Sequence, residues 1–320
     1  MTKVWFKKRK ALVSVCVLAL LVAVGSIALW AYRSSLAIYK RIDINAPAAD
    51  GELSVWENTV DRGTDTELKA EDAFMKTMSV YEISPRTITE EQFAQLGAFF
   101  QMDGEIEPRK TCLYWEWQEH RLWWEENEIS YSWSGHVDKA ITKSDEEMIA
   151  LAKEIFEALP IIEGEYECLG IGSVQTVHSK AGSFDVKKRI CFRRLIDGVR
   201  VIGNDLVDIY VGEDGVTEIY MYFYDYIKTD ELPMLSLEEA FEKVKEPDAF
   251  ALETEETDFS GKAEKLTVEK AKLLYVNQFS DGCTILQPVF NLMGTLENDT
   301  GIAEFSAKII AIPEKYTYTE

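Results

Sequence analysis

The chain has 320 residues, of which 47% are hydrophobic, and a formal net charge of −22. That hydrophobic share supports ordinary packed cores and argues against global disorder. So acidic a body, without a basic stripe, argues against nucleic acid as a partner.

The first ten residues, MTKVWFKKRK, carry Lys3, Lys7, Lys8, Arg9 and Lys10 and no acid. Residues 11–32, ALVSVCVLALLVAVGSIALWAY, have neither charge nor proline. As a helix this run spans about 33 Å, close to the thickness of a bilayer core. Trp5 before it, and Trp30 and Tyr32 at its end, are placed as interfacial anchors. Lys7, Lys8, Arg9 and Lys10 set the topology: residues 1–10 form a cytoplasmic tail, 11–32 a single transmembrane helix, and the rest is extracytoplasmic. The competing reading is a signal peptide cleaved near Ala23-Val24-Gly25. The apolar run continues past that point into Trp30 and Tyr32, which fits a retained anchor. Ala23, Gly25, Ser26 and Ala28 would permit close helix approach within the membrane.

Residues 33–65 read as a stalk or linker, rich in Asp, Ala, Gly and Thr. Residues 66–140 read as two helices and a tryptophan-rich meander. The spacing of Leu68, Phe74, Met75 and Met78 predicts a helix over 66–81. Thr89 with Gln92 forms a capping box for a second helix, with Phe93, Leu96 and Phe100 on one side. The run TCLYWEWQEHRLWWEENEISYSW, residues 111–133, contains five of the eight tryptophans. Its alternation predicts three antiparallel strands with one apolar face, holding Trp115, Trp117 and Trp133 in the core. Trp123 and Trp124 are adjacent, so one must leave that face. Trp117, Trp123 and Trp124 are the candidate surface for a protein partner or a cell-wall ligand.

Residues 141–230 predict a helix capped by Ser144 and Glu147, with Met148, Leu151, Ala152, Ile155 and Leu159 on one face. Four strand-like runs follow, turning at Lys180 to Gly182, Asp197-Gly198 and Glu213 to Gly215. Residues 231–320 repeat the plan: a helix capped by Ser236 and Glu239, then three strand-like runs. The expected class is α+β, with antiparallel sheets each packed by one or two helices.

The run RLIDGVRVIGNDLVDIYVGEDGVTEIYMYFYDY resembles the core of PepSY-like modules through Gly198, Val199, Val201, Gly203, Val207, Asp214, Gly215 and Val216. The later stretch AKLLYVNQFSDGCTILQPVFNLMG is similar to the C-terminal module of YycH- and YycI-type proteins through Leu274, Tyr275, Leu286, Pro288 and Phe290. It departs from that pattern in having Val289, then Phe290, where a tryptophan usually follows the proline. The resemblance covers about residues 140–315. It implies a membrane-anchored extracytoplasmic regulator of Gram-positive bacteria, in contact with a two-component sensor kinase.

No catalytic, cofactor or metal site is expected. His120, His136 and His178 form no HExxH, and Ser132 to His136 lacks a GxSxG elbow. Glu116 and Glu125 could form a glycosidase pair, though an acidic protein explains them more simply. Asp205, Asp208, Glu213 and Asp214 lack the spacing of a calcium loop. No phosphate-binding glycine loop is present. Cys112, Cys168, Cys191 and Cys283 allow three disulfide connectivities, with no pair favoured. The expected function is that of a tethered binding protein. The alternative is a cell-wall-acting enzyme or a propeptide-like module inhibiting proteases.

Overall fold

The computed structural model describes residues 39–40, 64–71, 73–109, 111–136, 138–179, 182–245, 252–253, 262–277 and 285–318. The anticipated membrane helix, Trp5, Lys7, Lys8, Arg9, Lys10, Trp30, Tyr32, most of the stalk and Cys283 lie outside these residues. Among the described residues no helix is long and apolar enough to cross a membrane.

Two units result from the chain's packing, residues 1–41 with 314–320, and residues 42–313. In the first, strand β1 (Tyr39–Lys40) pairs in parallel with β18 (Thr317–Tyr318). The second unit begins with β2 (Asp65–Leu68) and β3 (Thr77–Pro85), where a helix over 66–81 was expected. In β3, Met78, Val80, Tyr81 and Ile83 are all buried, so both faces are covered. A strand covered on both sides loses the alternation that marks strands, and its apolar spacing imitates a helix.

Helix α1 (Glu90–Phe99) follows, with the Thr89–Gln92 capping box formed. Then come β4 (Glu107–Pro108), β5 (Cys112–Trp117), β6 (His120–Glu125) and β7 (Glu128–Trp133), the last three paired antiparallel in sequence order. Helix α2 (Asp145–Ala158) starts at Ser144, whose side chain accepts from the Glu147 backbone amide while Glu147 accepts from that of Ser144. Ser144→Ala removes one side of this box and is expected to cost about 1 kcal/mol in chemical denaturation.

Next are β8 (Glu165–Ser179), β9 (Gly182–Ile196), β10 (Val199–Ile202), β11 (Leu206–Gly212), β12 (Gly215–Tyr222) and β13 (Tyr224–Pro233). Two runs that read as single strands are broken, at Gly203 to Asp205 and at Phe223. The final elements are α3 (Leu237–Glu242), β14 (Leu252–Glu253), β15 (Lys265–Val276), β16 (Ile285–Asn298) and β17 (Gly301–Ile310).

The strands of this unit join in one sixteen-stranded sheet, ordered β13-β3-β16-β15-β10-β9-β11-β12-β7-β6-β5-β4, with β2 on β15, β8 on β9, β17 on β16 and β14 on β17. This corrects the expected α+β class of separate antiparallel sheets, each with its helices. The described chain is mostly strand, with three helices, of which α3 has only six residues. Long hairpins account for the difference: β8 and β9 have fifteen residues each. Two pairings within this sheet are parallel, β2 with β15 and β10 with β15.

One core lies between α1, α2 and a face of β5–β7, β9, β11 and β12, built on Phe93, Leu96, Trp115, Met148, Ile190 and Ile209. A second lies around Met78, Tyr81, Ile83, Val201, Tyr275 and Leu286. Between these cores the sheet narrows to β10. Only Val201 and Ile202 pair with β15, opposite Tyr275 and Val276. The Asn277 amide extends the joint by donating to the Ile202 carbonyl at 2.8 Å.

Candidate functional site

The tryptophan doublet divides across the sheet. Trp124 packs with the helix-covered core, its ring centroid 6.2 Å from that of Phe93, and its Nε1 donates to the Glu126 carbonyl at 2.7 Å. Trp117 also packs against that core. Neighbouring strand residues face opposite ways, so Trp123 lies on the outer face, where it is half-buried. Of the three candidate tryptophans, only Trp123 is on the side away from α1 and α2.

Register defines what surrounds it. Trp123 stands opposite Tyr114 and Ser130, Ser130 opposite Tyr220, and Tyr220 opposite Asp208. Asp208 in turn is opposite Cys191. These residues form one row across five strand junctions, with Tyr210 and Tyr222 flanking it. The Tyr210 and Tyr220 rings meet edge to face at 5.5 Å.

The charges on this face are paired with one another. Glu116 lies 3.4 Å from Arg121 and accepts from the Tyr114 hydroxyl at 2.5 Å. Lys187 bonds Glu218 at 2.7 Å, and the Arg109 guanidinium lies 3.9 Å above the Tyr114 ring. Asp208 is buried between Arg189 at 3.7 Å and Arg193 at 4.0 Å. Burial, followed by a hydrogen bond to Asp208, pushes the Cys191 thiol up to about 12, so it is neutral and a poor nucleophile at physiological pH. Cys112, Cys168 and Cys191 are all free.

The other candidates do not converge on chemistry. Glu116 pairs with Arg121, and Glu125 with Cys112, so the two acids are four residues apart along the strands. That is about 13 Å, beyond the separation of a glycosidase pair. His136 Nδ1 contacts the Trp133 carbonyl at 2.7 Å, whereas the Ser134 hydroxyl donates to the Glu119 carbonyl. His120 Nδ1 contacts the Tyr131 hydroxyl at 2.7 Å on the core side. His178 Nδ1 lies 2.6 Å from the Ser183 hydroxyl, exposed at the end of the β8–β9 hairpin. Glu213 is held by Thr142 and Asp214 by Lys139. Among the described residues no group of three or more His, Cys, Asp or Glu could hold a metal ion.

A polar cluster that sequence reasoning missed sits beside the narrow joint. Asp205, only 1% exposed, accepts from the Tyr226 hydroxyl on β13 and from the Tyr166 hydroxyl on β8 at 3.3 Å. Burial pushes its carboxyl up to about 6, against the opposing pull of Tyr226, Arg194, Tyr166 and Arg86. Burial also raises both tyrosines, Tyr226 more strongly. Arg194 lies over the Tyr166 ring and donates to the Glu163 carbonyl; Arg86 pairs with the Glu163 carboxylate at 2.7 Å. The signal in the sequence is an acid after Gly203 and Asn204, in the break between two strands, which marks a position without revealing its partners.

The fold is that of a β-rich module with short covering helices. The chain is similar in part to two solved structures. It is similar to YycH from Bacillus subtilis, with 13% identity and a TM-score of 0.41 over 71% of this chain and 51% of that one. It is also similar to the C-terminal domain of Bacillus megaterium YpeB, with 14% identity and a TM-score of 0.35 over 71% of this chain and 94% of that one. The chain thus spans about half the length of the YycH structure. No family model and no curated protein matches it.

Proposed function

We propose that this chain is a membrane-tethered, extracytoplasmic regulatory protein. It acts by binding the outer part of a membrane protein, such as a two-component sensor kinase, rather than by catalysis. The tether follows from the order of the N-terminal sequence: a basic tail, an uncharged apolar run, then an acidic body. The observation that carries the binding role is the outer face around Trp123. Aromatic side chains that are half-buried on a sheet face, ringed by ion-paired charges, have the make-up of an interaction hot spot.

A photo-crosslinking residue at position 123, in the full chain in its native membrane, tests this. The expected result is an adduct with a membrane protein that is absent when the same residue replaces Trp117 on the core side. Trp123→Ala should reduce co-purification of that partner at least tenfold, while changing fold stability by no more than about 1 kcal/mol. Equal capture from positions 117 and 123, or capture of no membrane protein, would falsify the reading.

A further inference from the structure

The buried carboxylate occupies a special place in the sheet. The part containing β5–β9, β11 and β12 is backbone-paired to the part containing β3, β13, β15 and β16 only through two residues of β10. Ile196 and Val199 pack across the same joint on Tyr81 and Tyr275, and the Tyr81 hydroxyl donates to Asp197 at 2.5 Å. Asp205 lies just past β10, and its two hydroxyl donors come from opposite parts: Tyr166 from β8 and Tyr226 from β13. Every element packed around it supplies a polar or charged group. These are Tyr166 on β8, Arg194 on β9, Tyr224 and Tyr226 on β13, Arg86 after β3, and Asn277 after β15, which bonds Tyr226. Glu163, bound to both arginines, closes the outer side.

We propose that Asp205 is a protonation-controlled latch on this joint: protonated, it keeps the two parts of the sheet closed on each other, and ionised, it loosens them. The sign follows from solvation. In the closed joint the carboxyl titrates near 6; opened to water it returns towards its ordinary 3.8. The closed form therefore holds its proton more tightly, and closure is strongest below the ordinary value. It weakens as pH rises through that interval, by roughly a hundredfold in the opening equilibrium constant between pH 4 and 7. The biological setting, an extracytoplasmic face exposed to changing external pH, rests on the function proposed above; the latch itself does not.

Hydrogen exchange on the full chain in detergent micelles tests it. The reporter is the Asn277 amide, which bonds across the joint to Ile202. Its protection is read against that of the buried Ile209 on β11, after correction for intrinsic exchange. In the wild type this ratio should fall by up to a hundredfold from pH 4 to 7 and level off above about pH 6. In Asp205→Asn it should be flat. A flat wild-type ratio, or an unchanged step in Asp205→Asn, overturns the latch. Should Asp205→Asn fail to fold, Tyr226→Phe decides. It removes a donor to the carboxylate, so the step must move to higher pH; a step that stays or moves lower overturns the latch. Because no partner is involved, failure of the latch and failure of the binding reading are separable.

Discussion

Gly203→Ala is expected to destabilise the protein by roughly 2–4 kcal/mol, combining backbone strain with an unavoidable clash. Gly203 has φ +114°, a conformation that side chains with a Cβ rarely adopt. An added Cβ would fall 2.2 Å from the Asn277 carbonyl oxygen. That atom is backbone, and its own residue is tied to Ile202 across the parallel joint, so neither side can withdraw without breaking the rung. Gly215 is the control. Its φ is +131°, yet a Cβ there would meet nothing within 4 Å. Gly215→Ala should therefore cost only the conformational part, about 1 kcal/mol. Urea unfolding of the two variants separates the effects, and equal losses would show that close approach at the joint is unimportant.

Trp115→Ala should be at least as damaging, at about 3–5 kcal/mol. The ring is 7% exposed and packs directly beneath α1 at Gly97, where an added Cβ would lie 1.9 Å from Trp115 Cζ3. Its removal leaves a void between the helix and the sheet, and also loses the indole hydrogen bond to the Asp103 carbonyl. Trp123→Ala, eight residues away on the opposite face, should leave the unfolding midpoint nearly unchanged. The pair thus separates the core side of the tryptophan run from its outer side. Comparable loss at both positions would mean that the outer face is buried in the working molecule.

What the sequence reveals here is local. Three capping boxes, at Thr89, Ser144 and Ser236, form as their spacing requires. Asp197-Gly198 and Asp214-Gly215 turn the chain between antiparallel strands, and the alternation within residues 111–133 sets which side each tryptophan takes. Strand order is a different matter. Nothing local brings β3 between β13 and β16, or β10 alongside β15, since those pairings are decided by which apolar surfaces are left to cover. The same applies to the site. Trp123 is singled out by its neighbour Trp124, but the Asp205 cluster is assembled from β8, β9, β13 and the segment after β3. No spacing rule links those segments.

The placement of β3 also constrains the order in which the protein can fold. Its partners are β13, made about 150 residues later, and β16, made about 200 residues later. β2 likewise waits for β15. The N-terminal strands of the body therefore remain unpaired until most of the polypeptide has been synthesised, while the β5–β7 meander can close at once. Such non-local pairing makes for slow folding, and it leaves apolar strands open to wrong partners in the interval. The part that can form early is the one bearing Trp123, so the outer face around it exists before the joint beside Asp205.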